Sequence, residues 1–253
     1  MEFKEWLPYY DQIVDKFDYN PEKENKAAEI LSLVLRKHAI KYNDLKDLVN
    51  NKPVLILGAG GTLDKDLIKL RQTNCLSKFI TIATDGATSG IMDICMVYPH
   101  LIITDLDGKL PDIINASNKG SIVIVHGNEH NIKRVVDYTP RFTKKLGTTW
   151  STSRPNVHNF GGFLDGDRAI CMALSLNAEF IVTIGMDYKG FIGKYSRTPI
   201  RIRKTKQAKL KFSKSFLEKV REKTKIKCYN ATTNGMNIKG FKKAELEEIE
   251  KIM

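Results

Sequence analysis

No run of about 18 consecutive apolar residues occurs in this 253-residue chain, which excludes a membrane-spanning helix. The opening stretch MEFKEWLPYY carries two acids and a tryptophan where an export signal needs an unbroken apolar core, so a cytoplasmic location is expected. The four cysteines, Cys75, Cys95, Cys171 and Cys228, lie far apart and form no Cys-x-x-Cys pair; this argues against a zinc site and fits a reducing compartment. Glutamine is confined to Gln12, Gln72 and Gln207 while lysine abounds, a balance also met in proteins of hot environments. No internal repeat or low-complexity linker divides the chain. Acid is missing altogether from Tyr188 to Leu217, where Lys189, Lys194, Arg197, Arg201, Arg203, Lys204, Lys206, Lys209, Lys211 and Lys214 all fall. With a net charge of +12, the surface should attract anions: nucleotide phosphates, anionic metabolites or nucleic acid. Against nucleic acid, the tract from Lys194 to Lys214 interleaves only Tyr195 and Phe212 and carries no RNA-binding signature. It reads either as a solvated helix and loop or as a flap that grips an anion.

Residues 1 to about 50 read as helical. The segment EKENKAAEILSLVLRKHA places Ala27, Ile30, Leu31, Val34 and Leu35 at three- and four-residue spacing, the apolar stripe of a helix, and predicts an N-terminal helical subdomain over 1–50. After Pro53 the pattern changes to short apolar runs: VLILGAG (54–60), FITIATDG (79–86), LIITDLDG (101–108), SIVIVHGN (121–128) and FIVTIGMD (180–187). Continuous rather than alternating apolarity marks strands covered on both faces. With helix-like stretches between the runs, this predicts an α/β fold with a doubly wound, mostly parallel sheet over 51–253, carrying the basic segment 189–215. The C-terminal FKKAELEEIEKIM predicts a closing amphipathic helix.

The ends of those runs hold the chemistry-bearing residues: Gly58 to Thr62, Asp85-Gly86, Asp105 to Gly108, His126 to Asn128, and Gly185 to Asp187. Open parallel sheets bind ligands at that edge, so five such ends predict one site. GAGGTLDKDL follows a strand and opens a helix, where glycines can bring backbone N–H groups to a phosphate. It is not a dinucleotide fingerprint, because the third glycine position holds Leu63, and it lacks the Gly-Lys-Ser/Thr of a P-loop. Asp85 sits where a ribose-binding acid would lie, which keeps dinucleotide or methyl-donor binding open.

In LIITDLDG, residues i and i+2 of an extended segment share a face, so Asp105 and Asp107 would point together and repel unless a cation lies between them. A plain surface turn is the alternative; Mg²⁺, which takes a few carboxylates plus water and phosphate, is the matching cation. NFGGFLDGDRAICMALSL repeats the arrangement before a helix, with Asp165 and Asp167 near its N-terminus and Arg168 able to grip phosphate in two places. Capping accounts for one of these aspartates and leaves the other, and the Gly161-Gly162 pair, to be explained. HGNEH (126–130) has the spacing of an inverted zinc-protease motif. Metal-binding histidines at that spacing must share a helix, whereas His126-Gly127 ends a strand, so His126 and Asn128 become candidates for phosphate or substrate contact.

Taken in order, GAGGTL, TDGAT, TDLDG, the His-Gly-Asn turn at 126–128, GGFLDGDRA and GMDYKGFIGKYS resemble the archaeal-type 6-hydroxymethyl-7,8-dihydropterin pyrophosphokinases over about residues 54–215. That family is distantly similar to thiamin pyrophosphokinase, whose acidic turns bind magnesium and ATP. The resemblance implies a thiamin-pyrophosphokinase-like fold and Mg²⁺-dependent transfer of diphosphate from ATP to the pterin hydroxymethyl oxygen, releasing AMP, in folate or methanopterin biosynthesis. Around 126–130 the chain reads VHGNEHN where a turn richer in histidine and aspartate is expected, which leaves His130 and Asn131 without an assigned role. Diphosphoryl transfer needs neutralised phosphate charge and an in-line nucleophile more than covalent chemistry by the protein. On that basis Asp105 and Asp107 are expected on Mg²⁺ and Asp165 and Asp167 to complete the metal and phosphate shell. Gly58, Gly60 and Gly61 should donate backbone hydrogen bonds to the nucleotide, Arg168 and Lys194 should stabilise the departing or transferred group, and Asp85 and Asp187 should line the mouth. The catalytic set is then Asp105, Asp107, Asp167 and Arg168, with ATP and a pterin alcohol as partners; the pterin pocket and any homo-oligomer stay unassigned. Two rivals remain: a glycosyltransferase, since Asp-Leu-Asp is also a DxD sequence, and a non-catalytic nucleic-acid binder. The first would release a nucleoside diphosphate instead of AMP, and the second would show steeply salt-dependent binding without ATP turnover.

Overall fold

The computed structural model describes residues 3–190, 192–196 and 203–253; Arg197 and Arg201 of the basic segment lie outside them. Three helices come first, α1 (Phe3–Phe17), α2 (Pro21–Leu35) and α3 (Tyr42–Val49). There follow β1 (Val54–Leu57), α4 (Leu63–Gln72), β2 (Ile80–Thr84), α5 (Ala87–Cys95), β3 (Leu101–Thr104), α6 (Leu110–Asn118), β4 (Ile122–His126) and α7 (Ile132–Tyr138). The remainder is β5 (Lys144–Thr148), β6 (Val157–His158), α8 (Asp165–Ser175), β7 (Phe180–Ile184), α9 (Arg203–Glu222), β8 (Lys227–Asn230), β9 (Lys242–Lys243) and α10 (Leu246–Glu250). The five runs expected as strands are β1, β2, β3, β4 and β7. The C-terminal stretch is not one helix: it supplies the edge strand β9 before the short α10. Among the described residues, no helix is long and apolar enough to cross a membrane.

The strands form one nine-stranded sheet in the order β6-β5-β4-β3-β2-β1-β7-β8-β9, and every neighbouring pair is parallel. Alternate residues of each central strand enter different cores, which is why the runs are apolar throughout. Val54 and Ile56 of β1, Leu101 and Ile103 of β3, and Ile122 and Ile124 of β4 pack on one face with α1, α3, α8 and α9. On the other face Leu55 and Leu57 pack with α4, α5 and α10, while Ile102, Val123 and Val125 pack with α2, α6 and α7. The order reverses direction between β1 and β7, which opens a crevice between their C-terminal ends.

The N-terminal helices reach both faces. Trp6, Tyr10, Ile13, Leu45 and Val49 share a core with the sheet, and Leu31 and Leu35 of the expected α2 stripe share another. The turn from α1 to α2 is set locally. Asp18 stops the first helix in a left-handed conformation (φ 56°), Asn20 caps the second by accepting from the N–H groups of Glu22 and Lys23 at 3.0 Å, and Pro21 takes the first helical position. Tyr19 is thereby held between two helix ends.

On α2, Glu24 is fully buried; one carboxylate oxygen accepts from the Glu129 N–H at 3.0 Å and the other has no hydrogen-bond partner. Burial pushes its carboxyl from 4.5 up to about 7. An acid whose folded value is raised leaves stability untouched below its unfolded value and costs stability once the unfolded chain ionises and the folded one cannot. The cost therefore grows from about pH 4.5 and is complete above pH 7, where it amounts to about 3 kcal/mol. Glu24→Gln should accordingly melt with the wild type at pH 4.5 and be more stable than it at pH 8, as read by urea denaturation at both pH values. Equal stabilities at pH 8 would contradict this assignment.

Candidate active site

The glycine turn after β1 packs directly on the turn after β7. The Gly60 N–H donates to the Gly185 carbonyl at 2.8 Å, and the Gly58 N–H to the Ile184 carbonyl at 2.9 Å. A Cβ on Gly58 would fall 2.7 Å from the Gly185 oxygen, and one on Gly60 would meet the same carbonyl, so both positions need the missing side chain for close approach of two backbones. The Gly61 N–H is held by Asp187 Oδ2 at 2.8 Å. All three N–H groups expected to face a phosphate are thus already bonded within the protein, which corrects that expectation; Gly58 and Gly60 still line the cleft. Asp187, expected at the mouth, clamps the two turns together, with its other oxygen accepting from Lys189 N–H at 3.0 Å.

From this turn a cleft of about 520 Å³ runs across the ends of β2, β3, β4 and β5, within the range of small-molecule sites. On its floor one carboxylate oxygen each from Asp85, Asp105 and Asp165 lies within 4.8 Å of the others. Asp85 follows β2 and Asp105 follows β3, neighbouring strands, while Asp165 opens α8; the three come together only in the folded sheet. Asp105 and Asp107 are not related by strand alternation as the sequence suggested. Leu106 between them takes φ 68°, its N–H donates to Thr104 Oγ1 at 2.8 Å, and the Asp107 N–H donates to Asp105 Oδ1 at 3.2 Å. The three converging oxygens include Asp85, expected beside the nucleotide, and not Asp107, whose carboxylate lines the cleft hydrogen-bonded to those of Asp85 and Asp105. Asp85 itself sits at φ 40°, accepts from Thr104 Oγ1, and leaves no room for a Cβ on Gly108, which would fall 2.8 Å from its Oδ1. Two non-glycine residues in left-handed conformations at one site store backbone strain of about 1–3 kcal/mol each.

Electrostatics follow from the crowding. Burial, the Asp107 hydrogen bond and the neighbouring carboxylates hold Asp85 well above the usual carboxylate range. Burial and Asp107 push Asp105 up to about 7, and burial with the Asp105 charge holds Asp165 high. Asp107 moves the other way: burial opposes its ionisation, but the hydrogen bond from Asp85 and the Lys206 ammonium outweigh it. Carboxylates that hold their protons for want of positive charge are a fit for a hard divalent cation. Octahedral Mg²⁺ bonds place ligand oxygens roughly 3–4 Å apart, a spacing the triad admits.

At the start of α8, Asp167 also departs from its expected place. Its Oδ2 accepts from the N–H groups of Phe163 and Leu164 at 2.9 and 3.1 Å, closing the first turn of the helix, and the Ser213 hydroxyl lies against the same carboxylate. Asp167 is therefore the cap and Asp165 the aspartate free to reach the triad. The Gly161-Gly162 pair serves the same corner: Gly162 takes φ 88°, and a Cβ there would lie 2.5 Å from the Arg168 Cα. Arg168 is wholly buried beneath the cleft, with its guanidinium 3.3 Å from Thr148 Oγ1 and 3.4 Å from His126 Nε2, and so does not present the two-pronged phosphate grip expected of it. Burial and the Arg168 charge keep His126 neutral, with Nε2 as acceptor. Asn128 shapes the turn, accepting from His130 N–H at 2.9 Å, and Asn131 Nδ2 ties that turn to the Asp105 carbonyl at 2.7 Å. Lys194 is exposed, 5.1 Å from the Tyr195 ring centre, and does not line the cleft.

Sequence reasoning missed the aromatic end of the cleft, where Tyr19, Trp150 and Phe163 meet, and the arginine Arg134 beside the acids. It named the basic tract but not which members face inward: Lys206 and Lys209, both from α9. An Asn-Pro helix start marks the Tyr19 turn, but nothing local ties it to the strand ends.

A family model described as 6-hydroxymethylpterin diphosphokinase MptE-like matches residues 33–190. A Methanothermobacter thermautotrophicus protein named 6-hydroxymethyl-7,8-dihydropterin pyrophosphokinase is 36% identical over 198 residues, covering 78% of this chain and 83% of its own. A Methanocaldococcus jannaschii protein of the same name is 31% identical over 238 residues, covering 89% and 98%. Among solved structures, the MAf glycosyltransferase of Magnetospirillum magneticum aligns with a TM-score of 0.54 at 14% identity, over 78% of this chain and 34% of that one, which shows a shared fold. The chain belongs to the MptE-like 6-hydroxymethylpterin diphosphokinase family.

Proposed function

We propose that the protein is a pterin diphosphokinase that moves the terminal diphosphate of ATP onto the hydroxymethyl oxygen of 6-hydroxymethyl-7,8-dihydropterin, releasing AMP, with Mg²⁺ held by Asp85, Asp105 and Asp165. The observation that carries this reading is the triad itself: three carboxylates from loops distant in sequence within 4.8 Å of one another on the floor of a small-molecule cleft. When bound, the metal would neutralise charge on the polyphosphate and orient it. The chain's own residues do the rest. Lys206 and Lys209 reach the cleft from α9 and Arg134 approaches from α7, so the anionic substrate meets cations opposite the acids. Asp107, the most readily ionised of the acids, holds a negative charge beside Lys206 and keeps that ammonium over the floor. The alcohol oxygen attacks the β-phosphorus, the bond to the α-phosphate oxygen breaks, and the alcohol proton leaves to solvent or a neighbouring carboxylate.

The test is incubation of the purified chain with ATP, Mg²⁺ and the dihydropterin. Equimolar AMP and pterin diphosphate, abolished by EDTA, is the expected result. Release of ADP, or no turnover with this acceptor, would overturn the reading.

A further inference from the structure

The cleft has two chemically different ends. One is glycine backbone and the Ile192–Ser196 strap, which bridges back to Gly60; the other is a cluster of rings gathered from three segments. Tyr19 comes from the α1–α2 turn, Trp150 from the end of β5 and Phe163 from the approach to α8; the Tyr19 and Trp150 ring centres are 4.8 Å apart and those of Trp150 and Phe163 are 5.5 Å apart. His130 leans on Tyr19 at 5.5 Å from the rim, and Lys209 donates to the Tyr19 hydroxyl at 2.6 Å. A buried indole N–H usually finds a hydrogen-bond partner. Here Trp150, 3% exposed and among the residues that line the cleft, has no hydrogen-bond partner for its buried indole N–H. Rings from three segments gathered at one end of a cleft that also holds charged groups fit a flat heteroaromatic ligand.

We propose that this end binds the acceptor's fused heteroaromatic ring, and that Tyr19, delivered by the N-terminal helices, is a specificity-determining residue for it. The inference rests on the pterin reading above and extends it. A ring stacked here would lie on the opposite side of the acid triad from the glycine end, so an alcohol arm on the ring points toward the metal floor while the nucleotide enters from the switch in strand order. It gives the first three helices a role in selecting the substrate.

The experiment measures acceptor and ATP KM separately for the wild type, Tyr19→Ala, Tyr19→Phe and His130→Ala, with thermal melting of each and direct titration of the hydroxymethyl pterin by quenching of tryptophan fluorescence. Tyr19→Ala should raise the acceptor KM and the pterin dissociation constant about tenfold or more, the scale of one lost ring-on-ring stack, while the ATP KM stays within about twofold. Tyr19→Phe should stay within about threefold of the wild type, because it keeps the ring. His130 is exposed at the rim, so His130→Ala should fold normally and raise the acceptor KM about threefold. Unchanged acceptor KM in Tyr19→Ala and His130→Ala, with the wild type turning over, would overturn this inference and leave the pterin reading standing, as would equal rises in both KM values. A wild type that neither binds nor converts the pterin overturns both.

Discussion

Asp105→Ala and Asp165→Ala should each cut pterin diphosphate formation about 10³-fold or more, and neither should unfold the chain. Each removes one of the three oxygens that converge on the cleft floor, and no other side chain of the triad can supply its geometry. Stability should move in the opposite direction to activity. Burial and mutual repulsion hold Asp85, Asp105 and Asp165 above the usual carboxylate range, so deleting one charge relieves the others. In EDTA both variants should melt at or above the wild-type temperature; with Mg²⁺ added, only the wild type should gain. Asp107→Ala is a graded control, because its carboxylate is not one of the three converging oxygens but is bonded to Asp85 and Asp105 and lies beside Lys206. A loss of about 10- to 100-fold is expected there. Near wild-type turnover in Asp105→Ala or Asp165→Ala would remove the metal assignment.

Gly162→Ala should be strongly destabilising. The residue sits at φ 88°, where any side chain is strained, and the new methyl would press on the Arg168 backbone inside the first turn of α8. That helix is packed under the sheet, so neither side can withdraw. A loss of about 3 kcal/mol is expected, lowering the melting temperature by roughly 6–12 °C. Activity should fall further than the folded fraction accounts for, because the same turn positions Asp165. Gly120→Ala makes the comparison clean: it too has a positive φ, at 107°, but a Cβ there meets nothing within 4 Å. It should cost only the backbone strain, about 1 kcal/mol. Equal losses in the two variants would show that conformation alone, not contact with α8, makes Gly162 necessary.

The five central strands were legible because each is buried on both faces and so reads as an uninterrupted apolar run. β5 was not, since it begins Lys144-Lys145; the Lys145 ammonium is buried yet satisfied by the carbonyls of Phe142 and Pro140 at 2.8 and 3.1 Å. No periodicity reveals a lysine whose charge is capped from within. β8, with exposed Lys227 beside buried Cys228, and the two-residue β6 and β9 likewise lack the length or pattern of a strand. At the site, the aspartate turns were visible as positions but not as roles. That Asp85 replaces Asp107 depends on β2 and β3 lying side by side and on the left-handed twist at Leu106. Asp165 and Asp167 could be told apart only by which one takes up the N–H groups of Phe163 and Leu164. Arg168 looked like a phosphate ligand because its neighbours are acidic, and burial under His126 and Thr148 redirects it. Tyr19 carried no chemical signal at all, since its place in the cleft comes from helix ends meeting strand ends.

A crystal soaked with Mn²⁺ and the α,β-methylene analogue of ATP, which cannot release AMP, addresses the central claim most directly. The account predicts an anomalous peak bonded to oxygens of Asp85, Asp105 and Asp165 at about 2.0–2.3 Å, with phosphate oxygens filling other positions on the same ion. Manganese bound at another place in the cleft, or a polyphosphate lying away from those three side chains, would contradict it.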